Sequence, residues 1–311
     1  MNQNTSNLFL IKPCNFFCNP ETSVNNFFQN SDFDSDKDNI SKKASLEFDF
    51  FLNKLKKNNL NIFQFKDTNK PITPDSIFPN NWISTYQNNT IIIHSMFAKN
   101  RRLERRGDII DFLKKKFIVE KVYNYSEEQE KKNKFLEGTG SMVLDRINKV
   151  VYAALSERTS HDLLLEFCDL QGFKLITFNA YQDFDKKKII YHTNVMMSVC
   201  ENFVIICLDS VINKEEKNII IDSFNRNKKE IIFITMEQVN TFCGNVLEVK
   251  NTLGENILIM SSKAFNSFSK NQIKMINKFC KIVHSPLDTI ERYGGGGARC
   301  MIAEIFLKKT K

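Results

Sequence analysis

The chain has 311 residues, 42% hydrophobic and 26% charged, with a formal net charge of +8, enough to bury one large core or two smaller ones. No stretch approaches the roughly 18–20 consecutive apolar residues of a membrane span, and the opening MNQNTSNLFLIKPCNFF lacks the basic and apolar regions of a secretory signal, so a cytoplasmic protein with reduced thiols is expected. The basic residues are scattered among Asn and Ile or lie beside acids, as in the lysine run 186–188 after Asp185, and no zinc-finger, RNA-recognition or phosphate-loop pattern accompanies them; nucleic acid and membrane are therefore not expected as partners.

In chain order, LFLIKP reads as a first strand, the polar stretch 30–43 as a mobile surface loop, 43–57 as a helix and NIFQF as a second strand. WISTYQNNTIIIHSM (82–96) then reads as strand, turn, strand, followed by a helical segment over 101–116 and a strand at FIVEKVY (117–123). After a solvated connection at 126–134, SMVLDRINKVVYAAL (141–155) repeats this plan, with a helix beginning near Thr159 and a strand at FKLITF (173–178). A third instance starts at 193–211, with a helix over 213–227 and the strand EIIFITM; a fourth starts at 245–264, with a helix over 267–280 and the strand CKIVHSP. Units of this kind recur every roughly 50–60 residues, a period that points to a repeat or radial array. CMIAEIFL at the end can pair with LFLIKP at the start, so the two ends would complete a fifth unit and leave no open strand edge. An ordinary α/β fold with chance regularity is the alternative. Neither polar stretch reads as a boundary, so one domain spanning 1–311 is expected.

Of the eight cysteines, Cys168, Cys200, Cys207 and Cys280 lie in apolar surroundings and read as core residues. Cys14 and Cys18 have no second pair or histidine at zinc-ligand spacing, and no metal or organic cofactor is expected. Cys300 differs, because it follows four glycines in YGGGGARCM (293–301). Glycines free the backbone for positive φ and close approach, and the N–H groups of such a loop can steady a thiolate or a developing oxyanion. A thiol nucleophile also needs an imidazole to exchange protons with it and with the leaving amine, for which His192 in YHTN, at the lead-in to a strand, is the candidate. His94, His161 and His284 sit in plainer strand and helix contexts. Glu137 in FLEGTGSM would orient the imidazole and hold its charge. SERTS (156–160) offers either a helix cap at Ser156 or Thr159 or a buried Arg158 that grips a carboxylate in bidentate fashion. Each string has a bland reading as well: a flexible turn, a structural histidine, a glycine turn, a cap.

Their order along the chain is more specific. PDSIFPNNW (74–82), RRLE (101–104), EGTGS (137–141), SERT (156–159), HTN (192–194) and GGGGARCM (294–301) resemble the motif succession of the guanidine-modifying superfamily, which includes arginine deiminase, dimethylarginine dimethylaminohydrolase and the amidinotransferases, and come nearest to its citrulline utilization hydrolase branch. The resemblance runs from about residue 70 to the end and implies a five-bladed α/β propeller, the pentein fold, built of strand–strand–helix–strand repeats. It implies Cys300 as nucleophile, His192 as general acid and base, and Glu137 as its orienting carboxylate. It further implies Arg158 and Arg101 as ligands of a substrate α-carboxylate, and Asp75 and Phe78 as lining of the substrate pocket.

Two departures bear on substrate. Arginine deiminases present Asp where this chain has Asn81 and Asn194. A guanidinium has donors only, whereas a ureido group is neutral and offers a carbonyl oxygen beside its N–H donors. An amide complements the ureido group, while a carboxylate facing its carbonyl would set acceptor against acceptor, at a cost of about 1–3 kcal/mol. The expected activity is cysteine-dependent hydrolysis of citrulline to ornithine, ammonia and carbon dioxide, with arginine deimination or amidino transfer as the enzymatic alternative and a non-catalytic propeller that binds a macromolecule as an alternative of another class. The expected partner is a small amino-acid substrate; the oligomeric state is open, a homodimer among the options.

Overall fold

The structure, a computed structural model, describes residues 1–30, 36–185 and 187–310. Its strands form five separate three-stranded sheets. The first opens with β1 (Asn7–Lys12) and β2 (Asn61–Lys66), which pair in parallel. The second holds β3 (Ile83–Thr85), β4 (Thr90–Ile93) and β5 (Lys121–Asn124), and the third β6 (Val143–Asp145), β7 (Val150–Ala154) and β8 (Lys174–Phe178). The fourth holds β9 (Met197–Val199), β10 (Phe203–Ile206) and β11 (Glu230–Phe233), and the fifth β12 (Leu247–Lys250), β13 (Asn256–Ser261) and β14 (Lys281–Ser285). The short β15 (Ala303–Glu304) returns to the first sheet, antiparallel to β1, with Leu8 opposite Glu304 and Phe9 opposite Ala303. Every sheet thus has one plan: a middle strand with an antiparallel neighbour on one side and a parallel neighbour on the other.

The sequence explains that plan. The middle strands TIII, VVYAA and FVII are buried along their whole length, as apolar runs without alternation require when both faces are covered. The parallel strand that follows each helix is half-exposed and more polar, as in KVYN and EIIF. The helices Gly107–Lys116, His161–Gln171, Lys214–Arg226 and Lys270–Ile276 make the crossovers that parallel pairing demands.

Several boundaries differ from the sequence reading. The first long helix runs over Lys37–Lys57, because Asp36 caps it through the N–H groups of Asp38 and Asn39 and its buried stripe begins at Ile40 and Ala44. Residues 37–43 are therefore helical, and 31–35 of the expected loop lie outside the described residues, as does Lys186. The segment 101–116 splits into a 3₁₀ turn, Asn100–Glu104, and the helix that starts at Gly107. The stretch 126–134 is solvated over Glu127, Glu128 and Lys131 to Asn133, as expected, but Ser126–Lys131 is helical and its Glu130 is buried against Arg102 and Arg105. Neither Ser156 nor Thr159 caps the helix at His161; the capping position belongs to Ser160, whose side chain makes no cap bond. Among the described residues, no helix is long and apolar enough to cross a membrane.

Candidate active site

Short turns that precede the first strand of three units carry much of the site. Asn81 ends the 3₁₀ turn Pro79–Asn81 before β3, Glu137 precedes the single turn Gly138–Ser141 before β6, and His192 and Asn194 flank the start of the turn Thr193–Val195 before β9. Two glycines let these turns touch. Gly138 has φ +47°, and a Cβ there would sit 2.3 Å from the Asn80 carbonyl oxygen; a Cβ on Gly140 would sit 2.4 Å from Asn81 Nδ2 and 2.8 Å from the His192 ring. A side chain at Gly138 would collide with backbone, and one at Gly140 would push Asn81 and His192 aside.

Glu137, fully buried, accepts from His192 Nε2 at 2.8 Å and lies 3.7 Å from Arg158 Nη1 and 4.0 Å from Arg101 Nη1. Its second oxygen takes the Phe97 N–H at 2.9 Å. Burial favours the neutral acid, but Arg158, His192 and Arg101 outweigh it and hold the carboxyl at about 2. Burial pulls His192 down to about 4 against the opposing pull of Glu137, so the resting imidazole is neutral at neutral pH. Its ring lies 4.5 Å from that of Tyr191, whose hydroxyl donates to the Gly295 carbonyl.

Arg101 grips Glu104 with two bonds of 2.9 Å, donates to Asn81 Oδ1 at 2.9 Å and lies 3.8 Å from Asp75. Burial works against its charge, but Glu104, Asp75 and Glu137 outweigh that and raise its pKa. With Oδ1 committed to Arg101, Asn81 keeps a buried Nδ2 without a partner, and Asp75 keeps a buried Oδ1 without one. Burial pushes the Asp75 carboxyl up, against Arg101 and bonds from Asn19 and Thr22. The Phe78 ring packs under the glycine loop, where a Cβ on Gly294 would meet it at 2.7 Å and one on Gly296 at 3.2 Å, the latter also 3.2 Å from Cys300 Cβ. Cys300 Sγ lies 3.5 Å from Asn194 Nδ2 and 3.2 Å from Asn245 Nδ2. Burial raises its pKa, opposed first by Asn245 and then by Arg299 and Asn194.

All nine residues expected from the sequence are buried: Glu137 joins His192, Arg158 and Arg101, Arg101 joins Asn81 and Asp75, Cys300 pairs with Asn194, and the Phe78 ring lies against the glycine loop that leads to Cys300. The sequence reading missed Asn245 and the segment that covers the site. Asn19 and Thr22 donate to Asp75 at 2.7 and 3.1 Å, and Asn26 donates to the Gly294 carbonyl at 3.3 Å. Arg158 donates through Nε and Nη2 to Asn25 Oδ1 and at 2.9 Å to the Thr22 carbonyl. One amide oxygen therefore occupies the fork of a buried arginine, a place suited to a carboxylate. Only the density of Asn in CNPETSVNN hinted at this. No group of three or more His, Cys, Asp or Glu able to hold a metal occurs among the described residues. What the arrangement offers is thiol, imidazole and carboxylate chemistry beside the unpaired amide donor of Asn81.

A family model described as N,N dimethylarginine dimethylhydrolase, eukaryotic, matches residues 12–307. No curated protein matches the chain in sequence. Among solved structures, apo ArgZ, an arginine dihydrolase from the ornithine-ammonia cycle in cyanobacteria, superposes with TM-score 0.74 at 15% identity over 96% of this chain; the chain spans 40% of that protein's length. The N-terminal domain of ArgZ bound to substrate gives TM-score 0.72 at 15% identity, covering 97% of this chain and 99% of that domain. A dimethylarginine dimethylaminohydrolase adduct with S-methyl-L-thiocitrulline gives 0.63 at 14% identity, covering 97% and 99%. At such identity these likenesses speak to the fold.

Proposed function

Since the chain belongs to the N,N dimethylarginine dimethylhydrolase family, hydrolases of carbon–nitrogen bonds within the guanidino-modifying superfamily, we propose that it hydrolyses the ureido group of citrulline. The observation that carries this reading is the fixed sense of Asn81. Arg101 claims its oxygen, so the amide can offer the site only its unpaired Nδ2 donor, and a donor wants the ureido carbonyl oxygen rather than a guanidinium, which has none to give.

In the proposed reaction the Cys300 sulfur adds to the ureido carbon as its proton passes to His192. Asn81 and Asn194 steady the oxygen that gains charge; such donors contribute a few kcal/mol each in acyl transfer. His192 returns the proton to the departing nitrogen while Glu137 holds the imidazolium. A carbamoyl-type thioester remains on Cys300, and water deprotonated by His192 cleaves it and restores the thiol. One water is consumed per citrulline, and ornithine, ammonia and carbon dioxide result. Arg158 takes the α-carboxylate, since Arg101 spends its fork on Glu104 and its Nη1 on Asn81. For Arg158 to take it, the segment carrying Thr22 and Asn25 must let go of the guanidinium, so substrate binding displaces that cover. We read the five sheets as five blades of one propeller domain, with this site where their leading turns meet.

A second reading has one observation in its favour: the unpaired buried oxygen of Asp75 is the kind of acceptor a guanidinium seeks, and the neighbour ArgZ is described as an arginine dihydrolase. Incubating the protein with citrulline, arginine or dimethylarginine, and resolving ornithine and citrulline by chromatography, separates the readings. Ornithine from citrulline, absent with Cys300→Ala, is expected. Citrulline accumulating from arginine, with citrulline itself untouched, would overturn the ureido assignment.

A further inference from the structure

The Cys300 sulfur has a nearer donor than Asn194. Asn245 lies in the turn between the helix Met236–Asn240 and β12, 1% exposed. The two ends of its amide can be told apart by their partners. Its Oδ1 accepts the N–H of Gly297 at 3.1 Å, so Nδ2 faces the other way, donates to the Asn194 carbonyl at 2.9 Å and stands 3.2 Å from Cys300 Sγ. An amide nitrogen has two protons; the carbonyl takes one and the sulfur the other. Gly244 makes the approach possible, since a Cβ there would lie 2.5 Å from the Val195 carbonyl oxygen and 2.6 Å from the Met196 carbonyl carbon. The position also recurs in the repeat: Asn81-Trp82, Asn194-Val195 and Asn245-Val246 each stand just before the first strand of a unit.

We infer that Asn245 is a catalytic residue, whose Nδ2–H aims the Cys300 sulfur and supports the negative charge that develops on it as its proton leaves, while its Oδ1 ties that sulfur to the glycine loop through Gly297. The inference rests on Cys300 being the nucleophile, as proposed above. Burial penalises a thiolate here, and a charge-assisted bond from a fixed amide is the direct compensation. An isosteric Asp at this position would turn a carboxylate oxygen toward both the Asn194 carbonyl and the sulfur.

The test is the pH dependence of Cys300 alkylation by iodoacetamide, followed by peptide mass spectrometry in the native protein, Asn245→Ala and Asn245→Asp. The thiol pKa should rise by about one unit in Asn245→Ala, slowing alkylation about tenfold at neutral pH, and further in Asn245→Asp, which keeps an oxygen for the Gly297 N–H and gives the readout should the alanine variant misfold. A turn that Asn245 merely braces would change the rate at every pH and leave the midpoint in place; an unmoved midpoint in a folded variant overturns the inference. Failure of native Cys300 to react at any pH overturns the nucleophile assignment and this inference with it, a result distinct from reaction with an unshifted midpoint.

Discussion

At Glu137, burial pulls against Arg158, the His192 hydrogen bond and Arg101, and these partners win. Glu137→Gln keeps the shape but leaves Arg158 and Arg101 facing a neutral amide and the imidazolium unsupported. Turnover should fall about 10²–10⁴-fold with KM changed far less, as steady-state kinetics would show. The buried histidines work against the fold as pH falls, while buried carboxyls such as Glu104 and Glu291, each pushed up to about 8 by burial, work the other way. His94, bonded to Ser84 at 2.7 Å, is pulled down to about 3 by burial, and His192 to about 4. Groups with depressed folded pKa values contribute stability that is full above the unfolded value near 6.5 and fades as pH falls toward the folded values. The histidines' contribution to the unfolding free energy should therefore fall between pH 6.5 and 4, by roughly 1 kcal/mol per pH unit for each, and urea titrations at both pH values should show His94→Asn losing less, or gaining more, than the native protein as pH falls. Cys300, His192 and Glu137 were legible as candidates because each stands in a distinctive string and the strings keep a fixed order. Asn25 and Asn245 were not, since a lone Asn in a polar loop says nothing of an arginine 133 residues away or a thiol 55 residues away.

The elements were read correctly where apolar runs and helical stripes are long, and wrongly where a tertiary partner decides. The helix Ser126–Lys131 reads as solvated because its partners, Arg102 and Arg105, precede it by some distance in sequence and bury Glu130 from outside the string. The turns before β3, β6, β9 and β12 carry the residues of the proposed chemistry, and their contacts depend on missing side chains. Gly140→Ala places a methyl group 2.4 Å from Asn81 Nδ2 and 2.8 Å from the His192 ring. Overpacking of this kind costs about 1–3 kcal/mol, and because the displaced atoms are Asn81 and His192, activity should fall by a larger factor than the thermal midpoint suggests; calorimetry alongside kinetics checks this.

At the scale of the molecule, the first sheet joins the two ends of the chain, as the apolar strings LFLIKP and CMIAEIFL foretold. Leu8, Phe9 and Leu10 are wholly buried in it. Truncation after Met301 removes β15 and bares an apolar strand edge, a template for association; light scattering should show aggregates where the full chain is monodisperse. The recurring strand–strand–helix–strand period made the five sheets legible, whereas the cover over the site was not, because residues 19–29 have no period. The central claim, that Cys300 carries the substrate carbon, is tested most directly by acid-quenching the protein during turnover of citrulline and mapping the covalent adduct by mass spectrometry. A carbamoyl-type thioester on Cys300, absent from Cys300→Ala and of a mass that tells which nitrogen has left, is the expected result; product formed while Cys300 stays unmodified, or while Cys300→Ala turns over at the native rate, would contradict it.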